Sequence, residues 1–248
     1  MIYALWGVVI IILYVIVTLA VIIVPCLILK LLRMEKALDA VVYYCMGNIA
    51  SFALFLCGVK VNVSGDLDSI KMRIAQGEGF CFISNHTSIL DVMLIIGKLR
   101  IKAGFVTKKE IAYIPFINIV IVLIHSVLMD RNSLKKSVKS IHRATKNIKK
   151  GISMLIFPEG TRSKTGEIAP FKHGSFRLAT ESGARLVPIT IKGLRPSFEQ
   201  RKHIFQRSEC YLHIGDPIDV PKASEREAVN EMIKKIEGEI RSTYEKLG

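Results

Sequence analysis

The sequence predicts an α/β domain, with a sheet flanked by helices, behind an N-terminal membrane anchor of two apolar helices. Residues 1–29 carry no charged side chain and are apolar on every helical face, unlike a soluble amphipathic helix. From residue 59 onward, short apolar runs alternate with helical patterns, which is typical of a sheet covered by helices. Half of the 248 residues are apolar, which excludes a disordered chain. We therefore predict an anchor over residues 1–58 and an α/β domain over residues 59–248.

The first apolar run is too long for a straight perpendicular helix. Residues 1–29 would extend about 43 Å as one helix, whereas the hydrocarbon core of a bilayer is about 30 Å thick. We expect the helix to tilt or to bend at Pro25. A cleaved signal peptide would have basic residues before a shorter apolar core, and no basic residue precedes this run.

A second apolar stretch over residues 40–59 follows a linker that contains Lys30, Arg33 and Lys36. The residues from Lys60 on contain 32 basic and 19 acidic side chains. Basic segments favour the cytoplasmic side, so both ends of the second stretch belong there. We expect a helical hairpin in one leaflet, on the cytoplasmic face of the cell membrane. A first helix that spans alone, and a hairpin that crosses the bilayer, are the alternatives.

The alternation from residue 59 defines the elements of the sheet domain. Alternation predicts a strand over residues 60–65, and apolar runs predict strands over residues 79–84, 101–106, 121–129, 152–157, 185–191 and 210–215. A helix is expected over residues 133–150, with Gly151 after its end. Its apolar face would carry Leu134, Val138, Ile141 and Ile148. A last helix is expected over residues 224–246, opened by a Ser-x-x-Glu capping box at Ser224.

The net charge of +14 predicts an anionic partner such as nucleic acid, anionic lipid or an acidic substrate. Nucleic acid is disfavoured, because the basic helix over residues 133–150 contains no aromatic residue and the single Trp lies in the anchor. This helix is either a solvated face or a surface for membrane headgroups or an acyl donor. The five cysteines show no paired or metal-type spacing, so we expect a reducing compartment and no disulfide.

The first candidate for chemistry is Asn-His-Thr-Ser-Ile-Leu-Asp, residues 85–91, which follows a predicted strand and opens a helix. Ligands of α/β sheets bind where strands end. On one helix, His86 and Asp91 would point about 140° apart. They meet only if His86 lies in the loop and Asp91 in the first turn, after an N-cap at Thr87 or Ser88. Alternatively, Ser-Ile-Leu-Asp is itself a capping sequence, which alone would explain Asp91.

The second candidate is Phe-Pro-Glu-Gly-Thr-Arg-Ser, residues 157–163, which follows another predicted strand. Pro and Gly favour a turn, and the planar guanidinium of Arg162 suits a phosphate. An ordinary exposed loop is the alternative.

Together these motifs resemble the 1-acyl-sn-glycerol-3-phosphate (lysophosphatidic acid) acyltransferases. Residues 85–91 match the first motif of that family and residues 157–163 the third. Residues 127–131, ending in Arg131, resemble the second motif, and residues 187–191 the fourth. Weaker similarities lie at residues 107–110 and at residues 169–176, where His173 stands in place of the more usual Lys. The resemblance covers most of residues 60–220 and implies a sheet of the glycerolipid-acyltransferase type.

The resemblance implies transfer of a fatty acyl chain from acyl-CoA or acyl carrier protein to the 2-hydroxyl of lysophosphatidic acid, which makes phosphatidic acid. His86 would be the general base and Asp91 would orient it. A thioester is already activated, so no acyl-enzyme intermediate is needed, which fits the missing G-x-S-x-G elbow of lipid hydrolases. No cofactor or metal is expected. The nearest alternative is a sibling enzyme with glycerol 3-phosphate or another lysophospholipid as acceptor.

The resemblance also assigns residues to recognition of the acceptor. Glu159 would bind the glycerol hydroxyl or orient Arg162, because a carboxylate against a phosphate is unfavourable. The implied substrate-binding set is Glu159, Gly160, Thr161 and Arg162, with Arg131 and Lys108 as helpers.

Overall fold

The computed structural model describes residues Val9, Leu13 and Val17 and the ranges 24–115, 117–200 and 206–248. The first predicted anchor helix, over residues 1–29, lies mostly outside the described residues. The chain forms two compact units. The first consists of residues 1–61, 88–101 and 193–210, and the second of residues 62–87, 102–192 and 211–248.

Helices and strands alternate along the chain, and residues 24–31 are helical before them. In order, the elements are α1 (Glu35–Leu56), β1 (Val59–Ser64), α2 (Leu67–Ala75), β2 (Cys81–Ser84), α3 (Leu90–Leu99), β3 (Ala103–Lys108), a 3₁₀ helix (Lys109–Tyr113), α4 (Ile117–Leu123), β4 (Val127–Met129), α5 (Leu134–Lys149), β5 (Ser153–Ile156), α6 (His173–Ser182), β6 (Leu186–Lys192), α7 (Arg195–Phe198), β7 (Ser208–Ile214) and α8 (Arg226–Lys246).

In the first unit, α1 packs along α3. The two helices approach closely at Gly97, where a Cβ atom would lie 3.0 Å from the backbone nitrogen of Ser51. The hydroxyl of Ser51 donates a hydrogen bond of 3.0 Å to the Gly97 carbonyl. Among the described residues, only α1 is long and apolar enough to cross a membrane, by length and composition alone. The anchor of two helices therefore stays a prediction.

In the described part of the chain, the sheet has seven strands in the order β1-β7-β6-β2-β5-β3-β4. Strands β6, β2, β5, β3 and β4 are mutually parallel, and β7 runs antiparallel to β6. The prediction of an α/β fold, a sheet flanked by helices, is confirmed. Because parallel strands point the same way, the segments that follow β2, β5, β3 and β4 emerge at one edge of the sheet.

The core of the second unit lies between the sheet and α5, α6 and α8. The apolar faces of the helices bury Ile141 and Ile148 from α5, Phe176 from α6, and Ile236 from α8. Burial of each such side chain stabilises the fold by about 1.5–3 kcal/mol. The helix predicted over residues 133–150 is confirmed as α5, and the Ser133 hydroxyl accepts from the backbone N–H of Lys136 at its start. Leu134 is 81% exposed, so its predicted place on the buried face is wrong.

Two further local predictions are wrong. The apolar run over residues 121–129 is not one strand, because residues up to Leu123 belong to α4 and only Val127–Met129 is β4. Between them, His125 adopts a positive φ of 54°, which breaks both regular structures. The expected capping box at Ser224 does not form. Glu225 is the N-cap without a capping side chain, and its carboxylate instead accepts from the backbone N–H of Lys222 at 3.1 Å.

Candidate active site

The first and third motifs follow the neighbouring strands β2 and β5. Ile83 of β2 pairs with Ile156 of β5, so the residues that come after them leave the sheet side by side. The imidazole of His86 stacks on the ring of Phe157, with 4.0 Å between ring centroids and 14° between planes. The geometry places His86 in the loop between β2 and α3, as predicted.

Glu159 lies in the third motif and is only 2% exposed. One of its carboxylate oxygens accepts a hydrogen bond of 2.7 Å from the backbone N–H of His86. The other accepts one of 2.9 Å from the backbone N–H of Ala169. The His86 carbonyl in turn accepts from the backbone N–H of Ser163 at 2.8 Å. The third motif therefore holds the backbone of His86 on both sides.

Gly160 forms the turn of the third motif, with a φ of +75° that favours glycine. A Cβ atom there would lie 2.7 Å from the ammonium of Lys172. The Gly160 carbonyl accepts a hydrogen bond from the guanidinium of Arg131, which follows β4. The second and third motifs therefore meet at this turn, while Thr161 and Arg162 are exposed beyond it.

Asn85 clamps the end of β2 to β6. Its side-chain amide donates to the carbonyl of Ile191 at 2.8 Å, and its side-chain oxygen accepts from the backbone N–H of Ile191 at 2.8 Å. Asn85 is fully buried. Sequence reasoning gave no role to this residue or to Phe157, because both contacts depend on strand pairing. The sequence did offer one signal for the role of Asn85, because its side-chain amide stands at the end of a predicted strand, just before the candidate base.

Asp91 belongs to the first unit, whereas His86 belongs to the second. One Asp91 carboxylate oxygen accepts from the backbone N–H of Ser88 at 2.9 Å, and the Ser88 hydroxyl accepts from the backbone N–H of Leu90 at 3.1 Å. The capping contact considered as the alternative for Asp91 is thus present, although the N-cap is Ile89 rather than Thr87 or Ser88. The pairing of His86 with Asp91 stays a prediction.

The other cations at this edge lie at or just after the ends of β3 and β4. Lys108 is half exposed, with its ammonium 3.8 Å from the Glu110 carboxylate. Lys109 lies 2.8 Å from Asp130, and this hydrogen bond lowers the pKa of Asp130 and raises that of Lys109. Desolvation lowers the pKa of Arg131, an effect that Glu110 opposes. Within the described ranges, no three His, Cys, Asp or Glu side chains are grouped so as to hold a metal ion.

A family model described as "Acyltransferase" matches residues 62–192, which include β2 to β6 and all the motif residues above. The chain therefore belongs to the acyltransferase family, as the motifs predicted. It is 28% identical to a 1-acyl-sn-glycerol-3-phosphate acyltransferase of Borreliella burgdorferi, over 75% of each chain. A Saccharomyces cerevisiae relative of the same name is 27% identical, over 78% of this chain and 62% of its own length.

The fold is also similar to a solved structure. The crystal structure of PlsC, the 1-acyl-sn-glycerophosphate acyltransferase of Thermotoga maritima, matches with a TM-score of 0.76 and 24% identity. The match covers 94% of this chain and 92% of that one. This likeness supports the fold of the sheet and its helices.

Proposed function

We propose that this protein transfers an acyl chain from a thioester to the 2-hydroxyl of lysophosphatidic acid and releases phosphatidic acid and a thiol. The observation that carries this proposal is the contact of the His86 loop with the third motif, which sets a candidate base beside candidate phosphate ligands. The names of the curated relatives support the same acceptor.

In the proposed reaction, the His86 imidazole takes the proton of the 2-hydroxyl while its oxygen attacks the thioester carbonyl. The C–O bond forms, the tetrahedral intermediate collapses, and the C–S bond breaks. The proton held by His86 passes to the departing thiolate. A positioned base typically contributes about 10²- to 10⁴-fold to the rate. Asp91 would orient the imidazole and stabilise its protonated form.

The acceptor phosphate would bind the guanidinium of Arg162, with Arg131 and Lys108 as further cations. Gly160 and Thr161 would shape the turn that presents Arg162. Glu159 is better suited to positioning than to a substrate hydroxyl, because its two oxygens already accept backbone hydrogen bonds. Arg131 would act partly through the turn, since it donates to the Gly160 carbonyl.

Because the proposed acceptor and product are membrane lipids, we expect the enzyme to act at a membrane. We propose that the helices of the first 58 residues hold it in the cytoplasmic leaflet, because the linker between them is basic. The donor would be acyl-CoA or acyl carrier protein, and no cofactor takes part. Both donors are anionic, which fits the net charge of +14.

The test is thiol release by the purified full chain in detergent, with an acyl thioester and with or without lysophosphatidic acid. We expect release that depends on the acceptor and that His86→Ala abolishes. His142→Ala is the matched control, because His142 is exposed on α5 and away from the motifs. Release independent of the acceptor would show a thioesterase, and release only with glycerol 3-phosphate would show the sibling activity.

A further inference from the structure

The second unit has a concentrated apolar surface outside the candidate site. Of the eight large apolar side chains exposed in its described residues, five lie within residues 113–122. Tyr113 is 81% exposed and Val122 is 71% exposed. A contiguous exposed apolar surface marks an interaction site more often than a solvated face. The surface consists of Tyr113, Ile114, Ile117, Ile119 and Val122.

Regular structure holds these side chains outward. The backbone N–H of Ile114 donates to the Ile111 carbonyl at 3.1 Å as the 3₁₀ helix ends. Ile121 is buried on the other face of α4, and Ile124 is buried just beyond its end. The backbone N–H of Ile124 donates to the Val120 carbonyl at 2.9 Å. The helix thus buries one apolar face in the core and presents a second one outward.

Basic side chains predominate in the segments of the chain that flank this apolar surface. Residues 102–139 contain seven basic and two acidic side chains. Asp130, one of the two acids, lies 2.8 Å from the ammonium of Lys109 and 3.5 Å from that of Lys136. The contact ties the start of the 3₁₀ helix to the first turn of α5. The apolar surface therefore adjoins a basic one, formed by Lys135, Lys136 and Lys139.

We propose that the exposed apolar side chains of residues 113–114 and 117–122 insert into the interfacial layer of an anionic lipid bilayer, with the first turns of α5 binding the headgroups. An exposed Tyr beside aliphatic side chains suits this depth, because its ring is apolar and its hydroxyl is polar. Each Lys or Arg near an anionic surface strengthens binding. This lipid contact is separate from the N-terminal anchor and does not depend on acyl transfer.

A second copy of the chain is a poorer occupant of this surface. Two apolar surfaces pressed together would bring two sets of α5 lysines near one another, and like charges across an interface oppose association. An anionic bilayer satisfies both the apolar side chains and the basic rim. The proposed contact with the bilayer also holds the end of β4, and with it Arg131, at the bilayer surface.

A fluorescent label that reports lipid depth tests this contact. The full chain carries Cys45→Ser, because Cys45 is partly exposed and the other four cysteines are buried. An environment-sensitive dye is attached at Val122→Cys, or at Met72→Cys as the matched control, since Met72 is 62% exposed on α2 of the same unit. Vesicles contain phosphatidylcholine with or without phosphatidylglycerol, and brominated acyl chains quench the dye.

We expect severalfold stronger quenching at residue 122 than at residue 72, and more of it with phosphatidylglycerol. Equal quenching at the two positions, in vesicles that float with the protein, would overturn the proposal. A dye signal at residue 122 that rises with protein concentration in detergent and resists the lipid quencher would instead show contact between two copies.

A second variant tests the basic rim. Lys135→Gln with Lys139→Gln removes two exposed charges and leaves the candidate site unchanged. Compared with the labelled protein that keeps both lysines, we expect a smaller difference in quenching between vesicles with and without phosphatidylglycerol. The melting temperature of the variant should be unchanged. An undiminished difference would exclude the first turns of α5 from headgroup binding.

Discussion

The buried carboxylate of Glu159 accepts a hydrogen bond of 2.7 Å from the backbone N–H of His86, a residue 73 positions earlier in the chain. Its second oxygen holds the backbone of Ala169. A glutamine has only one acceptor oxygen, so Glu159→Gln leaves one of these N–H groups facing an NH₂ group. We expect a loss of about 1–3 kcal/mol in the free energy of unfolding, together with a lower kcat. Denaturant melts and thiol-release kinetics measure the two effects.

Glu167→Gln is the control for this prediction, because Glu167 is exposed in the segment after the third motif. It should change neither quantity. Unchanged stability and activity in Glu159→Gln would contradict a positioning role.

The turn at Gly160 makes a second prediction. Gly160→Ala forces an L-residue to a φ of +75° and brings its Cβ to 2.7 Å from the Lys172 ammonium. The left-handed conformation alone costs about 1–2 kcal/mol. Gly174→Ala, in the first turn of α6, is the matched control, because a Cβ there meets nothing within 4 Å. We expect the first variant to melt at a lower temperature and the second to be neutral or more stable. Equal melting temperatures would refute the strain.

The clamp at Asn85 makes a third prediction. Asn85→Ala leaves the N–H and carbonyl of Ile191 buried without their side-chain partners, which we expect to cost about 2–4 kcal/mol. Asn85→Asp keeps the acceptor but sets a carboxylate oxygen against the Ile191 carbonyl. A protonated aspartate can donate there, so this variant should regain stability as the pH falls. Melting curves from pH 7 to pH 4 test this, with the exposed Asn132→Ala as control.

The pair of Asp130 and Lys109 gives a prediction about acid stability. Their hydrogen bond lowers the pKa of Asp130 from its ordinary value of 3.8. A carboxyl group with a lowered folded-state pKa stabilises the fold above its unfolded pKa, and this stabilisation is lost as the pH falls through the folded value. We therefore expect Asp130→Asn to flatten the stability loss below about pH 4. Asp219→Asn, at a residue whose side chain is 91% exposed, should leave the slope as it is.

The predictability of this fold differs from element to element. Amphipathic periodicity was enough for α5, because Ile141 and Ile148 recur on one face and are buried. The prediction of one strand over residues 121–129 was wrong. A continuous apolar run has no hydrophobic period, so its sequence does not distinguish a buried helix from a buried strand. The positive φ of His125, where α4 gives way to β4, has no sequence signal of its own.

The candidate site was predictable in its residues but not in its contacts. The motifs named His86 and Glu159, yet their hydrogen bond follows from the parallel pairing of β2 with β5, which no local pattern encodes. The same holds for Asn85, whose partner Ile191 is 106 residues away. For Asp91, the sequence offered both a catalytic and a capping explanation. The capping contact with Ser88 is present, and the catalytic one stays a prediction.

The neighbouring positions of β1 and β7 in the sheet have a consequence for synthesis of the chain. The first strand is hydrogen-bonded to the last, so residues 59–64 wait for residues 208–214 to be made. At a ribosome rate of about 5–20 residues per second, that wait is about 7–30 s. During it, β1 has no strand partner, because it is the outermost strand of the sheet and β7 is its neighbour there, and an unpaired strand is prone to aggregate. Lys60 and Asn62 alternate with its valines, and charged or polar side chains on an edge strand oppose aggregation.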